Sequence, residues 1–157
     1  MHANAQLIER FYRAFAHRDW AGMAACYHPE VHFTDEVFDL RGVAAGNMWR
    51  MLCTNGRDLR LEFGGISADA QTGRAHWDAR YTFSASGRKV LNRIDASFEF
   101  RDGLIVRHLD RFDFWRWARQ ALGLPGWLLG WSGFLREKVR AQAAAGLAAF
   151  VHKTAVR

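Results

Sequence analysis

Apolar residues recur every three or four positions at the start of the chain. Leu7, Ile8, Phe11, Tyr12 and Phe15 share one face, which predicts an amphipathic helix over residues 4–17. Asp19 is placed to cap a short second helix carrying Trp20, Met23, Ala24 and Tyr27, and Pro29 ends it. The period then drops to two over VHFTDEVF, residues 31–38, which reads as a strand. A third helix over 43–54 turns Val43, Met48 and Leu52 inward. Segments near 59–68, 74–84, 89–101 and 104–114 read as four more strands. Turn signals separate them at Asp69 to Gly73, Ser84 to Gly87 and Arg101-Asp102-Gly103, where Asp-Gly is a strong hairpin signal. Strands joined by tight turns make an antiparallel meander, and the length of two of them predicts bends or bulges. Helical periodicity returns after Phe114. Residues 115–123 form a helix ending at Gly123, Pro125-Gly126 breaks the chain, and 127–152 place Phe134, Leu135, Val139, Ala143, Leu147 and Phe150 on one side. Helices followed by a curved sheet make the class α+β.

Parity sorts the strand residues into faces. On 74–84, His76, Asp78, Arg80 and Thr82 oppose Trp77, Ala79, Tyr81 and Phe83. On 89–101, Ile94, Ala96, Phe98 and Phe100 oppose Arg93, Asp95, Ser97 and Glu99. On 104–114, His108, Asp110 and Phe112 oppose Leu109, Arg111 and Asp113. Parity alone does not say which face is concave, so Asp78 and Arg80 read equally as solvated outer residues.

Composition bounds the rest. The chain has 157 residues, 50% hydrophobic and 24% charged, enough for one core in one domain and unlike a disordered, collagenous or coiled-coil chain. The net charge is +6, but the basic residues are scattered and mostly arginine, so no nucleic-acid partner is expected. Cys26 and Cys53 lie far apart without metal-ligand or framework spacing, so free thiols in the cytoplasm and no metal site are expected. The apolar stretch from Gln120 to Leu135 is too short, and too broken by Pro125 and four glycines, to span a bilayer; no membrane partner is expected.

The order of these elements, with FYRAFAHRDWAGMAACYHPEVHFTDE at one end and HLDRFDFWRWARQALG at the other, resembles the nuclear transport factor 2-like superfamily. Ketosteroid isomerase, limonene epoxide hydrolase and the SnoaL-like polyketide cyclases are members. The resemblance implies a cone over residues 1–123: a curved antiparallel sheet wrapped around the N-terminal helices, enclosing an apolar cavity. Residues 124–157 form extra C-terminal helices that cover the open end or take part in a homodimer contact.

Local similarity to limonene epoxide hydrolase makes Asp78 and Asp110 its two acids, with His76 where an arginine is expected. Phe33 and Asp35 stand where that enzyme has a tyrosine and an asparagine. The mechanism implied is general acid–base catalysis: Asp110 activates a water, and Asp78 donates a proton. Asp35 also matches the base of ketosteroid isomerase, whose helix tyrosine corresponds to Phe11 and whose proton-donating aspartate falls near Ala96. Asp95 would take that place only through a bulge. The expected catalytic set is Asp110, Asp78, His76 and Asp35. The expected substrate contacts are Tyr27, Phe33, Arg80, Ile94, Phe98, His108 and Phe112. No cofactor is required, and the partner is a small apolar molecule. Hydrolysis, isomerisation and cyclisation stay open, as does a non-catalytic ligand-binding or dimerisation module on the same fold.

Overall fold

The computed structural model describes residues 1–155. Helix α1 spans Ala3–Ala16 and buries Leu7, Ile8, Phe11, Tyr12 and Phe15, as their spacing predicts. Helix α2, Trp20–Ala25, is capped by the Asp19 carboxylate, which accepts from Gly22 N at 2.9 Å. Strand β1 begins almost at once and covers Tyr27–Thr34 rather than 31–38. Pro29 therefore lies inside a strand instead of ending a helix. It falls between Tyr27 and His32, where the register with the neighbouring strand shifts, so its missing N–H leaves no gap in a regular ladder. At Asp35 the chain turns back: its Oδ1 accepts from Val37 N and Phe38 N. A short β2, Asp39–Arg41, then pairs antiparallel with β1.

Helix α3, Val43–Asn55, buries Ala45, Met48, Trp49 and Cys53. Val43, expected inward, is 80% exposed because it is the first helical residue and the stripe begins at Ala45. The meander follows as β3 (Arg60–Ala68), β4 (Thr72–Phe83), β5 (Arg88–Arg101) and β6 (Leu104–Arg111). Asp102 and Gly103 both take positive φ, +54° and +74°, in the tight turn their dipeptide predicts. Register irregularities appear between Gly64 and Ser67 on β3 and opposite Glu99–Phe100 of the long β5, where β6 carries the extra residue.

The sheet runs β2-β1-β6-β5-β4-β3. The β1–β6 pair is parallel within an otherwise antiparallel sheet. The concave face closes on α1 and α3 through Phe11, Phe15, Phe33, Trp49, Trp77 and Phe98, giving a mixed α+β fold with a curved open sheet.

Helix α4, Phe114–Leu122, is capped by the Asp113 carboxylate. Pro125 does not break the chain. It sits in the first turn of α5, Leu124–Leu129, where no N–H is needed. The helical run splits instead at Gly130–Ser132, before α6, Gly133–Ala155. Helix α6 contributes Leu135 to a second apolar cluster with Val90, Phe114, Trp117, Ala118 and Ala121, and Leu147 to the main core. Arg140 Nε donates to the Glu36 carbonyl at 3.0 Å, and Arg136 pairs with the Glu36 carboxylate at 3.6 Å. These contacts lay α6 across the turn that carries Asp35.

Candidate functional site

On the β1–β6 pair, Phe33 stands opposite His108 and Thr34 opposite Leu109. Asp35 follows directly on β1, and Asp110 lies near enough for its charge to act on the Asp35 carboxyl. Both histidine and aspartate of β6 face inward because of a one-residue slip. Phe100 pairs with Ile105 and Glu99 with Arg107, leaving Val106 as the extra residue. Ile105, His108 and Asp110 are all buried as a result, whereas strict alternation from Ile105 would turn Arg107 and Leu109 inward.

A chain of hydrogen bonds crosses the core from this strand. Trp49 Nε1 donates to the Tyr27 hydroxyl at 2.8 Å. The Tyr27 hydroxyl lies 2.8 Å from His108 Nδ1, and His108 Nε2 lies 2.9 Å from Asp110 Oδ1. Trp49 can only donate, so the Tyr27 oxygen accepts from it and its proton goes to Nδ1. The remaining ring proton is then on Nε2 and points at Asp110. A doubly protonated ring would leave the Tyr27 proton without an acceptor. Phe98, Phe33 and Phe11 surround the imidazole at centroid distances of 4.5, 5.0 and 5.4 Å, and the Trp49 ring stacks on it at 6.0 Å.

The environment of Asp35 differs. Burial pushes its carboxyl up from 3.8 to about 6, against two backbone N–H bonds that favour the anion; the negative charges of Asp110 and Glu36 push it further up. Burial and then the Asp110 charge also raise the Tyr12 hydroxyl. Tyr81 accepts from Trp117 Nε1 at 2.7 Å, and burial lifts its hydroxyl to about 12, with Asp35 adding to the rise. The Tyr12 hydroxyl and the Trp77 indole N–H are buried without hydrogen-bond partners among the described residues.

The structure does not bring Asp78 and His76 to Asp110. Ala75, Trp77 and Ala79 take the concave face of β4, which sends His76, Asp78 and Arg80 to the outer face. There His76 bridges Asp78 and Asp95, 2.8 Å from each. The expected pairing of Asp78 with Asp110 is therefore not formed, the carboxyl whose charge reaches Asp35 being Asp110, and Arg80 lines no interior surface. Asp95 likewise points outward, since the register slip between β5 and β6 lies beyond it, at Glu99–Phe100, and Ala96 holds the inner position. Of the expected substrate contacts, Tyr27, Phe33, Ile94, Phe98 and His108 are buried on the inner side, and Phe112 packs partly buried beside them.

The enclosed apolar cavity expected here is filled with aromatic rings. The two best-formed hollows among the described residues both lie elsewhere, as open grooves. One, about 660 Å³, runs between α3 and α6 along Val43, Asn47, Leu147 and Val151; the other flanks the β3–β4 turn.

Sequence reasoning overlooked Trp49, which orients Tyr27, and Tyr81, whose hydroxyl the Asp35 charge helps to raise. For Trp49 a signal existed: it shares a helical stripe with Ala45 and Cys53. For Tyr81 the signal was its place on the Trp77 face of β4.

A family model for the SnoaL-like domain matches residues 8–108. Solved structures resemble the chain over most of its length. An NTF2-like protein of unknown function from Burkholderia pseudomallei is 23% identical with a TM-score of 0.66, over 78% of this chain and 99% of that one. A proposed polyketide cyclase from Xanthomonas campestris is 21% identical with a TM-score of 0.63, over 75% and 96%. An LEH-like epoxide hydrolase from M. tuberculosis is 20% identical with a TM-score of 0.62, over 81% and 96%. The search of curated proteins gives no match. At these identities the structural likeness speaks for the fold. With the family match over residues 8–108, it establishes that the chain belongs to the SnoaL-like domain family and has its NTF2-like cone.

Proposed function

We propose that the protein is a small-molecule acid–base catalyst of the cyclase, isomerase or epoxide-hydrolase kind, acting without a cofactor on a small, largely apolar substrate. The observation that carries this reading is the nearness of two carboxyls in unlike environments, Asp110 buried on β6 and Asp35 half-buried in the turn after β1, where the Asp110 charge acts on it. Asp110 receives the Nε2 proton of a histidine locked by Tyr27 and Trp49. Asp35 shares its proton near neutrality, which suits a general acid or base. The unspent donors of Tyr12 and Trp77 can meet a polar group of the substrate.

The test is turnover of a panel of cyclic epoxides and polycyclic aromatic ketones by the parent, Asp35→Asn and Asp110→Asn. Each variant keeps the shape and is expected to lose roughly a hundredfold or more of the parent's rate while remaining folded. Undiminished turnover in both variants would remove the dyad from the chemistry.

The filled interior favours a second reading, a non-catalytic binding module. That reading predicts panel compounds that raise the melting temperature of the parent and of both variants alike, with no turnover in any.

A further inference from the structure

The helical tip beyond the cone leaves its largest apolar side chains in water. Trp131 and Phe134 are each 73% exposed and Leu124 is 70% exposed, with Trp127, Leu128, Leu129 and Trp115 open beside them. The backbone cannot turn these side chains inward. Gly126 presses on the Ala118 carbonyl with no room for a Cβ, which seats α5 on α4. Trp131 Nε1 donates to the Leu128 carbonyl at 2.9 Å and Trp115 Nε1 to the Trp127 carbonyl at 3.3 Å, so the rings are held in place on the outside.

The charge around this patch is mainly positive. No acidic residue lies between Phe114 and Leu135, whereas Arg116 and Arg119 do; Arg136, next along the chain, is taken up by its ion pair with Glu36. Arg88 joins them through its bond to the Gln120 carbonyl at 2.8 Å. The Arg119 guanidinium lies over both Trp115 and Trp127, at 4.5 and 4.7 Å, so positive charge is set among the rings themselves.

We propose that this tip docks on the surface of an anionic phospholipid bilayer, with Leu124, Trp127, Leu128, Trp131 and Phe134 at the headgroup–acyl boundary and the arginines on lipid phosphates. Indole rings are at home at that depth, one face apolar and the N–H polar, and leucine and phenylalanine continue into the hydrocarbon. The arginines oppose a second copy as occupant, since a two-fold contact through this patch would set arginine against arginine. They favour a negative surface. No described helix is long and apolar enough to cross a membrane, and none needs to, because the contact is interfacial. The expectation of no membrane partner concerned only a bilayer-spanning segment.

Full-length protein mixed with vesicles of pure phosphatidylcholine, and with an equal mixture of phosphatidylcholine and phosphatidylglycerol, decides the matter. The parent is expected to co-sediment with the mixed vesicles at least tenfold more than with the neutral ones, and to release in high salt. Its tryptophan fluorescence should be quenched by lipids brominated near the headgroup, a readout that needs no variant. Trp127→Ser with Trp131→Ser, both exposed and outside the core, should reduce binding at least tenfold with an unchanged circular dichroism spectrum. Failure of the parent to bind the mixed vesicles would overturn the proposal. So would binding unaffected by the two substitutions, or a parent dimer in light scattering that the same substitutions convert to monomer.

Discussion

The same three-residue pattern, histidine–any–aspartate, occurs on two strands of one sheet with opposite outcomes. On β4, His76 and Asp78 lie 2.8 Å apart with 45% and 27% of their side chains in water. On β6, His108 and Asp110 lie 2.9 Å apart with 0% and 3% exposed. Bond length and residue identity are nearly shared, so what separates the pairs is solvent. The outer pair can exchange its partner for water at little cost. The inner pair cannot, and every polar atom of His108 needs a protein partner. The Tyr27–Trp49 relay exists on one side only because only there is an unpaired ring nitrogen expensive.

The largest difference should appear on deleting the two histidines. His108→Ala strands the Asp110 carboxylate and the Tyr27 hydroxyl in an aromatic cage and opens a void. It should cost about 3–5 kcal/mol in urea unfolding, the range for leaving a buried charge without its partner. If it unfolds as readily as a surface substitution, the inner pair is not sealed from water.

Next in size is the pH dependence of the inner site. Asp35 is raised from 3.8 to about 6, so the folded chain binds its proton more tightly than the unfolded one. That contribution is whole below the unfolded value and is lost as pH rises through about 6. Above this range the ionised carboxylate weighs on the fold by up to about 3 kcal/mol. Asp35→Asn keeps an oxygen for the Val37 and Phe38 N–H groups. It should therefore be more stable than the parent by roughly 2–3 kcal/mol at about pH 8, and level with it in acid below the ordinary carboxylate range. Melting curves across pH measure this; a constant offset would mean that Asp35 ionises like a solvated acid.

A smaller step tests the relay. Trp49→Phe keeps most of the ring that packs on Phe11, Phe15 and Phe33 but removes the donor to Tyr27. A loss of about 1–2 kcal/mol is expected, more than the change in size explains if the Tyr27 oxygen is left unmatched. Adding Tyr27→Phe should then cost less in this background than in the parent, since the two residues share one hydrogen bond.

The sequence foretells elements better than sides. Spacing places α1 and its buried stripe, and Asp102-Gly103 places the last hairpin, because both are local devices whose physics is complete within a few residues. Which face of β4 is concave is set by what packs on it. The Trp77 and Tyr81 parity already marked the apolar side, whereas matching Asp78 to a catalytic acid of a similar family argued the other way. On β6 the inward turn of His108 and Asp110 depends on one extra residue, Val106, and no composition signal announces it. The nearness of Asp35 to Asp110 is harder still to read, since it depends on the parallel contact of β1 with β6, about 75 residues further along the chain. Phe134 was expected on the same side as Leu135 and Leu147 but is 73% exposed, while those two are buried.

The smallest effect belongs to the outer pair. His76→Ala should cost less than about 1 kcal/mol, as exposed ion pairs do. The pair should still be visible to titration. The bond to Asp95 raises the His76 imidazole above 6.5 against the opposing effect of burial, and the bond to Asp78 adds to the rise. A raised histidine contributes stability that is present below the unfolded value and fades as pH rises through the folded one. Proton NMR of the ring should thus show His76 titrating above 6.5 in the parent, lower in Asp95→Asn and lower by a smaller amount in Asp78→Asn. High salt should compress all three values toward the free imidazole, because both partners keep contact with water. A His76 ring that ignores salt would place this pair in the same dry environment as His108 and erase the contrast between the two faces.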